Sequence, residues 1–198
     1  LAFSAFSLSA SAIYILNDYH DIKEDQQHPK KKLRPLASGA ISKKSAIGLM
    51  ILFFIAGISL MGVISVKALI VLGAYISLNV AYSFFLKHIA ILDVTIIAVG
   101  FVLRLFVGST VTGIVLSMWI VIMTFLLALF MALAKRRDDV LLFLNTGKKM
   151  RKVIDGYNVQ LIDGAMMIMA SVVIVSYILY TTSAEVVQRL NSQYLSLT

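Results

Sequence analysis

The chain has no cysteine in its 198 residues, only two prolines, and only 14% charged residues. Without cysteine there is no disulfide framework, no zinc-finger core and no thiol nucleophile. The scarcity of proline, together with long charge-free runs, excludes a disordered or collagen-like chain. Soluble domains carry about 25% charged residues, so a chain this poor in charge and 60% hydrophobic is a membrane protein. Its histidines, His20, His28 and His88, show no HExxH or related spacing, and no zinc site is expected.

Charge is missing from residues 1–17, 45–66, 68–86, 105–134 and 164–184. A helix needs about 20 apolar residues to cross the hydrocarbon core. The run at 105–134 is too long for one span and contains Gly108-Ser109-Thr110 and Thr112-Gly113, which read as a turn. Six spans are therefore predicted, at 1–16, 44–64, 68–86, 91–108, 115–134 and 161–180. The expected fold class is all-α, a polytopic transmembrane helix bundle forming one domain over 1–198. The first run is short for a span and opens on Leu1 with no basic leader. The chain therefore reads as a fragment with a clipped first helix, not as a signal peptide followed by a domain.

Six crossings put segments 17–43, 87–90 and 135–160 on one side of the membrane. That side carries Lys23, Lys30, Lys31, Lys32, Arg34, Lys43, Lys87, Lys135, Arg136, Arg137, Lys148, Lys149, Arg151 and Lys152, against Lys67 and Arg189 on the other. The positive-inside rule then makes 17–43 and 135–160 two cytoplasmic loops of a plasma-membrane (bacterial inner-membrane) protein.

Within 17–43, Asp18, Asp21 and Asp25 stand at i, i+3 and i+7, one helical face, with Asn17 one turn before Asp21. Like charges stacked in this way repel, and a divalent cation removes the conflict. Mg²⁺ takes oxygen ligands and is commonly held by one or two carboxylates plus substrate phosphates. Lys30, Lys31, Lys32 and Arg34 follow between Pro29 and Pro35 as counter-charges for phosphate oxygens. The lysines equally suit topology determinants or contacts to anionic headgroups. Carboxylates, metal and bases at one membrane surface describe a diphosphate site.

Asn17-Asp18-x-x-Asp21-x-x-x-Asp25 resembles the NDxxDxxxD signature of the UbiA superfamily of intramembrane prenyltransferases, and Arg34-Pro35-Leu36-Ala37-Ser38-Gly39 is similar to its RPxxSG stretch. The resemblance implies that the chain runs from the family's second helix into its seventh. It also implies that Asn17, Asp18, Asp21 and Asp25 hold Mg²⁺ and a donor diphosphate, that Arg34 partners that segment, and that a lipid chain lies in an apolar tunnel. The second polar segment departs from the family's usual second acidic motif. Lys135-Arg136-Arg137 precede adjacent Asp138 and Asp139, with no acid four residues after either.

That departure resembles the decaprenyl-phosphate phosphoribosyltransferase branch, whose Lys-Arg-x-x-acid stretch is matched by Lys135, Arg136 and Asp139. Its HPxKxxRP run is similar to His28-Pro29-Lys30-Lys31-Lys32-Leu33-Arg34-Pro35. Its YSxxLKxxxxLD stretch is similar to Tyr82-Ser83-Phe84-Phe85-Leu86-Lys87 followed by Leu92-Asp93. The activity implied is Mg²⁺-dependent transfer of 5-phosphoribosyl from phosphoribosyl diphosphate to a polyprenyl phosphate. On that expectation Lys30, Arg34, Tyr82, Lys87, Lys135 and Arg136 face phosphates and Asp139 orients the basic cluster. The alternative is prenyl transfer from a prenyl diphosphate to an aromatic acceptor. The expected partners are these substrates and the bilayer, not nucleic acid.

Arg104 falls mid-span, where an ion needs a cavity or a partner. It is expected to line the polar chamber with Asp93, three turns away, on a nearby face. Asn79 suits either chamber lining or interhelical hydrogen bonding. A transporter would require several deep ionisable groups and internal repeats. Only Arg104 is deep, and the two halves show no repeat.

Overall fold

Serine and asparagine side chains start most of the long helices. Ser42 accepts the N–H of Ser45 at 3.1 Å, Ser65 that of Ala68 at 3.3 Å, Ser117 that of Trp119 at 3.2 Å and Asn158 that of Leu161 at 2.6 Å. Each satisfies a first-turn donor that the helix leaves unpaired. The computed structural model describes residues 1–147, 152–183 and 186, and the elements among them are all helical. They are α1 (Ala2–His20), α2 (Ile22–Gln27), α3 (Lys43–Ile64), α4 (Val66–Phe84), α5 (Leu92–Thr112), α6 (Met118–Thr146) and α7 (Val159–Thr182), with short 3-10 turns at Lys31–Leu33, Leu86–His88 and Lys152–Gly156.

Among the described residues five helices, α3 to α7, are long and apolar enough to cross a membrane. Helix α1, predicted as a sixth span, falls outside that set. Ser4, Ser7, Ser9 and Ser11, and the polar end Asn17-Asp18-Tyr19-His20, dilute its apolar character. Packing holds it instead. A Cβ on Gly57 of α3 would sit 2.3 Å from Ser9 Oγ and 2.8 Å from the Ala5 carbonyl oxygen, so only glycine lets α3 approach α1 this closely. The opposite side of α3 exposes Ile51, Leu52 and Ile55, a surface suited to lipid.

Three boundaries differ from expectation. Gly108, Ser109 and Thr110 do not turn the chain, because the Thr110 hydroxyl donates back to the Phe106 and Val107 carbonyls at 2.9 Å and keeps α5 helical. The turn falls at Gly113, whose φ of 71° is the left-handed conformation that glycine adopts without strain. Helix α6 runs on to Thr146, so Lys135 to Asp139 lie on a helix and not in a loop. The 17–43 segment is likewise ordered. It continues α1 through a kink into α2, and Arg34 adopts the extended backbone (ψ 145°) that a following proline favours.

Two packing units share α5. In one, α1, α3, α4 and α5 bury Ala5, Ile13, Met61, Leu72, Tyr75 and Val107. In the other, α5, α6, α7 and the Lys152–Gly156 turn bury Val94, Leu133, Val140, Val153, Ile154 and Ile162. Lys87 meets Asp21, and Tyr157 meets Ile91 and Asp93. The three segments assigned to one side by counting crossings therefore do meet at one end of the bundle. Lys148, Lys149, Arg151 and Arg189 lie outside the described residues.

Candidate active site

At the head of the first unit, α1 ends on Asp21 (φ −95°, ψ 7°), yet the Asp21 carbonyl still accepts the Asp25 N–H at 2.8 Å. The chain bends without losing the helical register, and Asp18 and Asp25 stay close enough to share one arginine nitrogen. Arg34 Nη1 donates to Asp18 Oδ1 at 2.7 Å and to Asp25 Oδ2 at 2.9 Å. Asp21 is paired with Lys87 Nζ, and His20 Nδ1 lies 3.3 Å from the same ammonium. Asn17 Oδ1 accepts the Ser83 hydroxyl at 3.4 Å. The expected mutual repulsion is thus met by the chain's own cations. Among the described residues no three carboxylate or imidazole groups converge enough to hold a metal unaided.

These groups form one wall of a cavity of about 270 Å³. Asn17, Asp18, Asp21 and Arg34 line it from α1 and the segment that follows. Tyr82 enters from the last turns of α4, Lys87 from the α4–α5 connection, and Lys135 and Arg136 from α6. Arg104 closes the floor beside Tyr14, Tyr75 and Asn79. Nine sequence-predicted residues therefore share one chamber, including Lys135 and Arg136, which lie more than 100 positions from the acidic motif in the chain.

Three predicted site residues do not line it. Asp25 is buried behind Arg34. Lys30 is exposed just before the 3-10 turn, its backbone N–H directed to His28 Nδ1 at 3.1 Å. Asp139 stands behind Arg136, accepting its Nη1 at 2.9 Å. Arg136 itself is 2% exposed. Its Nε donates to Asp93 Oδ2 at 2.6 Å, so it reaches the cavity wall from inside a fixed ion-pair frame.

Asp93 consequently does not serve Arg104. The Arg104 guanidinium donates to the Tyr75 hydroxyl oxygen at 3.2 Å and lies 4.7 Å above the Phe101 ring, while its buried Nε finds no partner among the described residues. Asn79 turns its amide to the Tyr75 carbonyl of its own helix at 2.8 Å. Sequence reasoning missed Tyr157, whose hydroxyl donates to Asp93 Oδ1 at 2.5 Å. No local spacing links residues so far apart.

Burial raises the Asp18 carboxyl above the usual carboxylate range, against the opposing pull of Arg34, and the neighbouring Asp25 and Asp21 push the same way. Burial and then the bond to Asp93 push the Tyr157 phenol up, so it remains a proton donor. An acidic wall holding a reluctant carboxylate opposite a basic wall suits a hard cation brought in with phosphates. Asn17, Asp18 and Asp21 supply oxygen donors of the kind Mg²⁺ takes.

Apolar spans that carry one polar chamber with acidic and basic walls at the head of the bundle define an integral-membrane helical enzyme scaffold. The chain belongs to the UbiA prenyltransferase family, whose pattern it matches over residues 1–187. It is 35% identical over 182 residues to the decaprenyl-phosphate phosphoribosyltransferase of Corynebacterium glutamicum, covering 91% of this chain and 55% of that protein. It is 34% identical over 185 residues to that of Mycolicibacterium smegmatis, covering 93% and 58%. The chain thus spans little more than half the length of these curated relatives. Its fold is similar to a UbiA homologue from Archaeoglobus fulgidus bound to DMAPP and Mg²⁺, with a TM-score of 0.77 at 18% identity over 99% of this chain and 72% of that one.

Proposed function

We propose that the protein containing this chain transfers 5-phosphoribosyl from phosphoribosyl diphosphate to a polyprenyl phosphate, with Mg²⁺, at the cytoplasmic face of a plasma membrane. The observation that carries this reading is the asymmetry of the chamber. Asn17, Asp18 and Asp21 line it from the end of α1, Lys135 and Arg136 line it from α6, and Lys87 enters paired with Asp21. A donor with a diphosphate and an acceptor that is itself a phosphate need such a pair of walls. The relatives named as decaprenyl-phosphate phosphoribosyltransferases support the same choice.

Asn17, Asp18 and Asp21 would hold Mg²⁺ together with diphosphate oxygens. When bound, the ion supplies charge neutralisation for the departing diphosphate. Arg34, anchored by buried Asp25 and shared with Asp18, would face the same phosphates. Lys87 and Lys135 bind phosphate oxygens by charge-assisted hydrogen bonds. In the reaction an acceptor phosphate oxygen bonds to the sugar C1 as the bond from C1 to the diphosphate oxygen breaks. The acceptor oxygen is already anionic, so no strong general base is needed. Positioning and electrostatic stabilisation supply the rate.

The test offers the protein labelled phosphoribosyl diphosphate with polyprenyl phosphate and, separately, prenyl diphosphate with an aromatic acceptor. Phosphoribosyl-lipid should form, and Lys135→Ala should reduce it by about tenfold or more, as expected for a lost contact to a charged group. Transfer only from prenyl diphosphate would assign the protein to aromatic prenylation.

A further inference from the structure

Tyr157 sits where three constraints meet. Its hydroxyl donates to Asp93 at 2.5 Å and accepts the Ile91 N–H at 2.8 Å, so a residue 66 positions away caps the start of α5 in place of a local Ser or Asp. Ile91 holds φ at 71° and ψ at −47°, a conformation that costs a β-branched residue energy and persists only where its surroundings impose it. The chain next to Tyr157 is pressed onto the same spot, since a Cβ on Gly156 would sit 2.5 Å from the Ala90 Cβ. Asp93 is fully buried, and its second oxygen takes Arg136 Nε. Asp139 holds the other edge of the guanidinium.

We infer that Tyr157 is a positioning residue for the chamber, fixing through Asp93 the guanidinium of Arg136 at the wall where phosphate binds. With one oxygen of Asp93 tied to the phenol, the carboxylate plane has a single orientation. That orientation directs the other oxygen at Nε and prevents Arg136 from turning away. The turn before α7, outside the chamber, thereby sets the charge geometry inside it. This inference rests on the reading of the chamber as a phosphate site, but not on which phosphorylated donor is used.

The probe is inorganic diphosphate with Mg²⁺, titrated calorimetrically into the protein in lipid nanodiscs, so the result stands whichever donor is turned over. Tyr157→Phe should weaken binding by about tenfold, the scale of a hydrogen bond to a charged group, and lower thermal stability. In an Arg136→Gln background, Tyr157→Phe should cause no further loss of affinity while still lowering thermal stability. Arg136→Lys serves in the same cycle if Arg136→Gln does not fold. Unchanged affinity in Tyr157→Phe, or losses from the two substitutions that multiply, would make Tyr157 a purely structural residue and overturn the inference. Failure of wild-type protein to bind Mg²⁺-diphosphate at all would instead reject the phosphate-site reading beneath it.

Discussion

Asp18 and Asp21 stand in the wall of the chamber, the first beside Arg34 and the second beside Lys87 and His20, whereas Asp93 lies out of contact with solvent between Arg136 and Tyr157. Both clusters hold carboxylates against cations, yet they are built for different ends. In the first, Arg34 is shared between two carboxylates and Asp18 retains partial exposure, so an incoming cation can exchange with the arginine. In the second, Asp93 is held by short buried bonds from two other elements, Arg136 on α6 and Tyr157 beside the turn before α7, and Asp139 on α6 braces Arg136. A buried ion pair adds little net stability over apolar packing, but removing one partner is costly. The exchangeable cluster suits binding, and the locked one suits alignment.

The largest effect expected is on turnover. Asp21→Asn should lower activity by about 10³-fold, the scale of losing a transition-state charge contact, while insertion and helical content by circular dichroism stay unchanged. Activity near wild type in that variant, or activity that survives excess EDTA, would remove the acidic wall from the mechanism. Next in size is the locked cluster. Asp93→Asn leaves the buried Arg136 charge with Asp139 alone and should cost about 3 kcal/mol of stability, read as a lowered unfolding midpoint. Replacing both partners, Asp93→Asn with Arg136→Gln, should restore part of it. A single variant as stable as wild type would erase the distinction between the two clusters.

A smaller, pH-dependent effect belongs to the open cluster. Asp18 has its folded-state pKa raised, chiefly by burial. Its contribution to metal-free stability is therefore full below the ordinary carboxylate range and is lost as pH rises through the raised value. Asp18→Asn should flatten that decline. Mg²⁺-diphosphate affinity of the wild type should increase over the same interval, because the cation displaces a proton. The smallest effect concerns Ile91. Glycine accommodates the positive φ, so Ile91→Gly should leave stability within about 1 kcal/mol of wild type, despite the added freedom of the unfolded chain. A large loss would show that the backbone there is unstrained.

Much of this was legible before any coordinates. Charge-free runs located the spans because a bilayer tolerates few ions, and crossing parity with the lysine bias gathered the right segments at one end. The acidic motif was readable because its spacing is local to one helix. What the spacing could not reveal was the kink at Asp21, which separates Asp25 from the chamber and pairs it with Arg34. The partner of Asp93 was also out of reach. Arg104, three turns along, is the cation on the same helix, whereas the packing of α6 against α5 supplies Arg136 instead. Tyr157 carried no signal, because a tyrosine capping a distant helix has no periodicity to betray it.

The central claim is that the two walls take two phosphates by different means, the acidic one through a metal and the basic one directly. Binding of phosphoribosyl diphosphate and of a short-chain polyprenyl phosphate to the protein in nanodiscs, each with Mg²⁺ and with EDTA, tests it most directly. Phosphoribosyl diphosphate should lose its affinity in EDTA, while the polyprenyl phosphate keeps its own and loses it in Lys135→Ala. Equal metal dependence for both ligands, or lipid-phosphate binding indifferent to Lys135, would contradict the account.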